Sequence, residues 1–183
     1  MRAFVGVGSN LGDRAATLCH ALQALRALAA TGSLRASHVY ETRPWGLREQ
    51  PDFLNAVAVF DTELDGLTLL AALGEMERAA GRSAPERPWG PRTLDLDILD
   101  LDGRVVADSA LTLPHPRIAE RAFVLVPLCE LDPDWRDPLT GRTAAEMLVA
   151  LDPDPSEVRP VGRCDPEEGR FLAGEAGPEL PRD

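Results

Sequence analysis

The chain has 183 residues, enough for one domain with a sizeable core and too few for two of ordinary size. Its composition, 44% hydrophobic and 27% charged, is that of a soluble globular protein, and no run approaches the ~20 apolar residues that a membrane span needs. A net charge of −11 argues against nucleic acid as a partner, and all 19 basic residues are arginine, which excludes a lysine-bearing phosphate loop and Schiff-base chemistry.

The opening run Arg2–Gly8 alternates loosely and breaks at Gly-Ser-Asn-Leu-Gly, so it reads as a strand entering a loop and not as a signal peptide. A cytoplasmic protein is expected. Asp13 stands at an N-cap, and Leu18, Leu22, Leu25 and Leu28 repeat at helical spacing up to Gly32. Residues 34–42 and 53–61 read as strands separated by Arg43-Pro44-Trp45-Gly46 and a polar run. A second helix is expected over about 65–80, with Leu67, Leu70, Leu73 and Met76 on its apolar stripe and Gly81 stopping it.

A Pro- and Arg-rich loop follows at 82–92, then a strand over 93–101, a hairpin signal at Asp102-Gly103 and a short strand at 104–107. Residues 118–130 are expected to be helical in part, and 143–150 form a last short helix. The order β-α-β-β-α-β-β with helical additions predicts an α+β sandwich of ferredoxin-like type over residues 1–151. From Asp152 to Asp183, Pro, Glu, Gly and Asp dominate without apolar periodicity, so a poorly ordered tail is expected. The three cysteines are odd in number and widely spaced, which argues against a disulfide framework or a zinc site.

The densest chemical signal is Arg92-Thr93-Leu94-Asp95-Leu96-Asp97-Ile98. Residues two apart on a strand share a face, so Asp95 and Asp97 point one way, about 7 Å apart, while Leu94, Leu96 and Ile98 point into the core. Such a carboxylate pair suits magnesium, which takes oxygen ligands and completes its shell with water and phosphate. Asp100 and Asp102, of opposite parity, are assigned to solvent. Arg82, Arg87 and Arg92 form a basic island just before the pair, and guanidinium forks suit phosphate oxygens. Phe53 and Asn55 share another strand face, one able to stack on a flat ring and the other to donate and accept. His115 lies between two prolines.

These segments resemble the 6-hydroxymethyl-7,8-dihydropterin pyrophosphokinases of folate biosynthesis. The matching pieces are Gly8-Ser9-Asn10-Leu11-Gly12, Tyr40-Glu41-Thr42 with Pro44 and Gly46, Gln50 to Asn55, Glu77 with Gly81-Arg82, Trp89 to Ile98, Leu113 to Arg117, and Arg121-Ala122-Phe123. They run in family order from residue 4 to about 135. The resemblance implies that Asp95 and Asp97 bind two magnesium ions bridging the phosphates of ATP, the co-substrate. It implies that Phe53 and Phe123 sandwich the pterin, with Asn55 and groups around Thr42, Pro44 and Gly46 bonding its edge. Arg82, Arg92, His115 and Arg121 would contact the triphosphate, with Arg82 and Arg92 sharing the catalytic role of the aspartates. Glu77, Trp89, Ile98 and Thr112 would surround the nucleotide.

The chain departs from the family pattern at Phe53, where tyrosine is common, at Ala84 and Ala110, where basic residues are common, and at Arg43 and Pro88. Small-molecule substrates, no nucleic acid, no membrane and a monomeric state are expected. The reaction implied is attack of the pterin hydroxymethyl oxygen on the β-phosphorus of ATP with release of AMP. A nucleotidyltransferase and a catalytically silent pterin- or nucleotide-binding protein remain the competing readings.

Overall fold

A computed structural model of the chain describes residues 1–47, 49–81, 90–174 and 177. Strand β1 (Arg2–Ser9) leads to helix α1 (Arg14–Leu25), short strand β2 (Arg35–Ala36), β3 (Val39–Thr42), β4 (Phe53–Asp61) and α2 (Gly66–Ala79). Then come β5 (Asp95–Leu101), β6 (Val106–Ala107), β7 (Thr112–Leu113), α3 (Ala122–Leu131), α4 (Ala144–Leu151), β8 (Val158–Asp165) and β9 (Arg170–Ala173). Asp13 caps α1 by accepting from Ala16 N, and Thr143 caps α4 in a reciprocal box with Glu146.

The main sheet runs β5-β1-β4-β3-β8-β9, with β2 also on β4, and its pairings are antiparallel. Its first four strands have the order of a ferredoxin-like sandwich, as the element order predicted. Strand alternation divides the apolar residues between two faces. Val5, Val7, Leu54, Ala56, Ala58, Leu96 and Ile98 pack with Leu18, Leu22, Leu69 and Leu73 of α1 and α2. Phe4, Val57, Val59 and Leu99 pack with Val124, Leu125 and Leu128 of α3 and Met147 and Leu148 of α4.

The predicted strand at 34–42 is two strands. Ser37 exchanges bonds with Val57, and the His38 N–H goes to the Glu130 carboxylate at 3.0 Å, so the ladder is interrupted there. The stripe of α2 is also different: Leu69 and Leu73 are buried, whereas Leu67 is 57% exposed. Steps of three residues fall about 60° short of a full turn, so Leu67 lies opposite Met76.

Three expectations are corrected. Residues after Asp152 were expected to be poorly ordered, yet β8 pairs along β3 and carries β9 beyond it, covering an edge that would otherwise be open. Pro160, which cannot donate to a ladder, precedes the β8–β9 pairing that begins at Gly162. Cys164 of β8 is disulfide-bonded to Cys19 of α1, 145 residues away, against the expectation of no disulfide. Finally, Asp100 is buried, 3% exposed, and its Oδ2 accepts from Trp135 Nε1 at 3.3 Å and Gly103 N at 3.2 Å. The register between β1 and β5 shifts at Phe4/Val5, where Val5 faces Ile98 and Phe4 faces Asp100. This bulge at Leu99 inverts the parity beyond it and turns Asp100 to the α3 face.

Candidate active site

On the α3 face, the C-terminal end of β1 meets the starts of β4 and β5. Gly8 faces Asn55 on one side and Asp95 on the other, and Gly6 faces Val57 and Asp97. A side chain at position 8 would place its Cβ 2.8 Å from Asn55 Oδ1, so only glycine leaves the floor between the two strands open. Above it is a cavity of about 230 Å³ whose walls include Thr42, Trp45, Phe53, Asn55, Arg92, Asp95, Asp97, His115, Arg121 and Phe123.

One side of the cavity is aromatic and amide in character. Asn55 is buried, and its Nδ2 donates to Thr42 Oγ1 at 2.7 Å, which fixes the orientation of the amide. Phe53 precedes it on the same face of β4, and Phe123 approaches from the first turn of α3. The other side is ionic. Arg92 Nη1 donates to Asp95 Oδ1 at 2.6 Å, and Arg121 Nη1 lies 3.6 Å from Asp97 Oδ2. The two carboxylate side chains are 23% and 42% exposed, reachable from the cavity and still held by cations.

The connection after β7 brings in His115 through its N–H, which donates to Leu99 O at 2.8 Å. Burial, then the Arg121 and Arg117 charges, push the imidazole pKa down to about 4, so the ring is neutral at neutral pH. Its Nδ1 accepts from Arg117 N at 3.2 Å, which leaves the proton on Nε2, facing Arg121 at 3.5 Å and Asp97 at 3.9 Å. A neutral donor beside two arginines adds hydrogen-bonding capacity for an anion without adding charge repulsion.

The sequence-predicted residues divide into three groups. Thr42, Phe53, Asn55, Arg92, Asp95, Asp97, His115, Arg121 and Phe123 come together around the cavity. Pro44 and Gly46 line a wider adjoining cleft of about 760 Å³ that shares Thr42, Trp45 and Phe123 with it. Glu77, Ile98 and Thr112 do not line either space. Glu77 Oε1 accepts from Leu96 N at 2.8 Å, so it ties α2 to the strand between the two aspartates. Ile98 is core on the α1/α2 face, and Thr112 is exposed on β7. Arg82, Trp89 and Arg87, with most of the expected lid, lie outside the described residues.

Residues with no assigned role in the sequence also enter the site. Trp45 lies 5.5 Å from both the Arg117 and Arg121 guanidinium carbons, and Arg121 is equally close to the Phe123 ring. An aromatic between Pro44 and Gly46 was the available signal, but nothing local revealed which arginines would meet it. Gly8 belonged to a recognised motif, and its role as a gap between Asn55 and Asp95 emerges only from the strand order.

Paired carboxylates beside guanidinium groups, facing an aromatic and amide wall, define a class of enzyme that brings a flat heterocycle to a polyphosphate. A family model for 7,8-dihydro-6-hydroxymethylpterin-pyrophosphokinase matches residues 4–133. A 2-amino-4-hydroxy-6-hydroxymethyldihydropteridine pyrophosphokinase from Methylorubrum extorquens is 46% identical over 152 residues, covering 83% of this chain and 94% of the relative. Its counterpart from Pseudomonas aeruginosa is 43% identical over 149 residues, covering 81% and 91% respectively. Among solved structures, a mutant HPPK-DHPS from Plasmodium falciparum shares the fold, with a TM-score of 0.71 at 13% identity. That match covers 94% of this chain and 48% of the longer one. The chain belongs to the 7,8-dihydro-6-hydroxymethylpterin-pyrophosphokinase family.

Proposed function

We propose that this chain transfers the terminal diphosphate of ATP to the hydroxymethyl group of 6-hydroxymethyl-7,8-dihydropterin, a step of folate biosynthesis, and releases AMP. The observation that carries the reading is the placement of Asn55 and Asp95 on either side of Gly8. An amide suited to a pterin edge and a carboxylate suited to a metal–phosphate complex thus share one floor.

The donor set fits magnesium. Asp95 and Asp97 offer oxygen ligands from one strand face. The pair is therefore a partial shell of the kind that leaves positions for water and phosphate oxygens. Asp95 and Asp97 would hold two magnesium ions, whose chemistry is to neutralise phosphate charge.

The chain's own groups supply the rest. Phe53 and Phe123 stack on the pterin, and Asn55 reads its edge in the orientation that Thr42 sets. Arg92 and Arg121 direct guanidinium forks to phosphate oxygens, with His115 Nε2–H as a neutral donor beside them. Arg82 and Trp89 extend the nucleotide side. The partners are small molecules, the chain acts as a monomer, and it works in the cytoplasm.

The deciding experiment is turnover of 6-hydroxymethyl-7,8-dihydropterin with ATP and magnesium, with nucleotide products separated. AMP with a diphosphorylated pterin is expected. Release of inorganic pyrophosphate with a pterin–nucleotide adduct would replace the reading with nucleotidyl transfer, and no turnover would reject it.

A further inference from the structure

Asn10 follows the last residue of β1 and is 1% exposed. A polar side chain so deeply buried is costly unless its donors and acceptor are used. Its Oδ1 accepts from Arg92 N at 2.8 Å, while its own backbone N–H donates to Arg92 O at 3.1 Å. In the other direction, Nδ2 donates to Gln50 Oε1 at 3.0 Å and to Pro51 O at 3.1 Å. Gln50 Nε2 passes the connection on to Leu47 O at 2.7 Å.

The two ends of this amide serve different sides of the cavity. Residues 47–52 lead directly into Phe53 and Asn55, and Arg92 leads directly into Asp95 and Asp97. We propose that Asn10 is a positioning residue that sets the pterin-side loop against the phosphate-side loop, so that acceptor hydroxyl and ATP meet in a defined geometry. The inference rests on the function proposed above. Asn10 lies outside the cavity wall and acts through Pro51, Gln50 and Arg92.

The chemistry demands an amide. Aspartate would retain an oxygen for Arg92 N but would place its other oxygen against two more, Gln50 Oε1 and Pro51 O. A flip of the Gln50 amide would relieve one of these contacts and break the link to Leu47. Asn10→Asp therefore severs the pterin-side half and leaves the Arg92 half in place.

The test is steady-state kinetics of the full chain with ATP, magnesium and 6-hydroxymethyl-7,8-dihydropterin, varying each substrate in turn, alongside thermal unfolding. Asn10→Asp is expected to raise the pterin KM about tenfold, the size of a lost buried hydrogen bond, and to leave the ATP KM within about twofold. Gln50→Leu removes the same partner from a half-buried loop and should shift the pterin KM in the same direction by a smaller factor. The double variant should be no worse than Asn10→Asp. An unchanged pterin KM in both folded variants, additive effects, or a uniform fall in kcat with both KM values unchanged would overturn the proposal. Should Asn10→Asp not fold, Gln50→Leu decides alone, and an unchanged pterin KM there overturns it. Inactive wild-type protein rejects the functional reading and the inference together, whereas active wild-type with unaffected variants rejects only the inference.

Discussion

Arg92 and Asp95 form an ion pair across 2.6 Å at the entrance to β5, joining the residue proposed to grip phosphate to one proposed to hold metal. Both side chains are partly screened from solvent, so the pair holds each group in place. Arg92→Ala should lower kcat about 100-fold or more. Pterin affinity, measured by equilibrium titration, should change no more than about threefold. A defect confined to pterin affinity would contradict this role.

Asp95→Ala and Asp97→Ala should each reduce AMP formation by about 10³-fold or more, because the oxygen donors on this strand face are lost. The fold should survive, since both side chains face the cavity and not the apolar core. Circular dichroism and thermal unfolding check the second point. Near-normal activity in either variant would sink the metal assignment.

Gly8→Ala tests the open floor. The new methyl group would meet Asn55 Oδ1 at 2.8 Å, and the flexible amide must give way, straining the 2.7 Å bond to Thr42. The expected outcome is a pterin KM raised about tenfold with a smaller effect on ATP, read from the same steady-state assay.

Asp100 predicts a pH dependence. Burial raises its carboxyl pKa above the usual range, an effect that the bonds from Trp135 and Gly103 only partly offset. A group whose folded pKa is raised holds its proton more tightly when folded. Its stabilisation is complete below the unfolded pKa, about 4, and is lost as pH rises through the folded value. Asn at this position carries no such pH-dependent cost. Asp100→Asn should gain stability relative to wild type as pH rises from 4 to 7, with the gap closing as pH falls toward 4. Urea unfolding at a series of pH values measures it.

The C-terminal hairpin should contribute to stability. Truncation after Asp152 exposes the β3 edge and removes the Cys19–Cys164 link. A cross-link closing so long a loop contributes typically 2–4 kcal/mol. Reduction with dithiothreitol, or Cys164→Ser, should lower the unfolding temperature, and truncation should lower it further. An unchanged melting curve for the truncated chain would contradict a stabilising role for the hairpin.

The sequence by itself determined the ferredoxin-like element order, the helix cap at Asp13, and the common face of Asp95 and Asp97. Each rests on local periodicity or capping chemistry that neighbouring residues dictate. Motif resemblance also nominated most of the residues that line the cavity. Only the tertiary structure decided which way Asp100 points, because a bulge at Leu99 depends on how β5 meets β1. It alone placed Gly8 between Asn55 and Asp95, joined Cys19 to Cys164, and completed the sheet with β8 paired along β3 and β9 along β8. These features depend on contacts between distant segments, and no spacing along the chain encodes them.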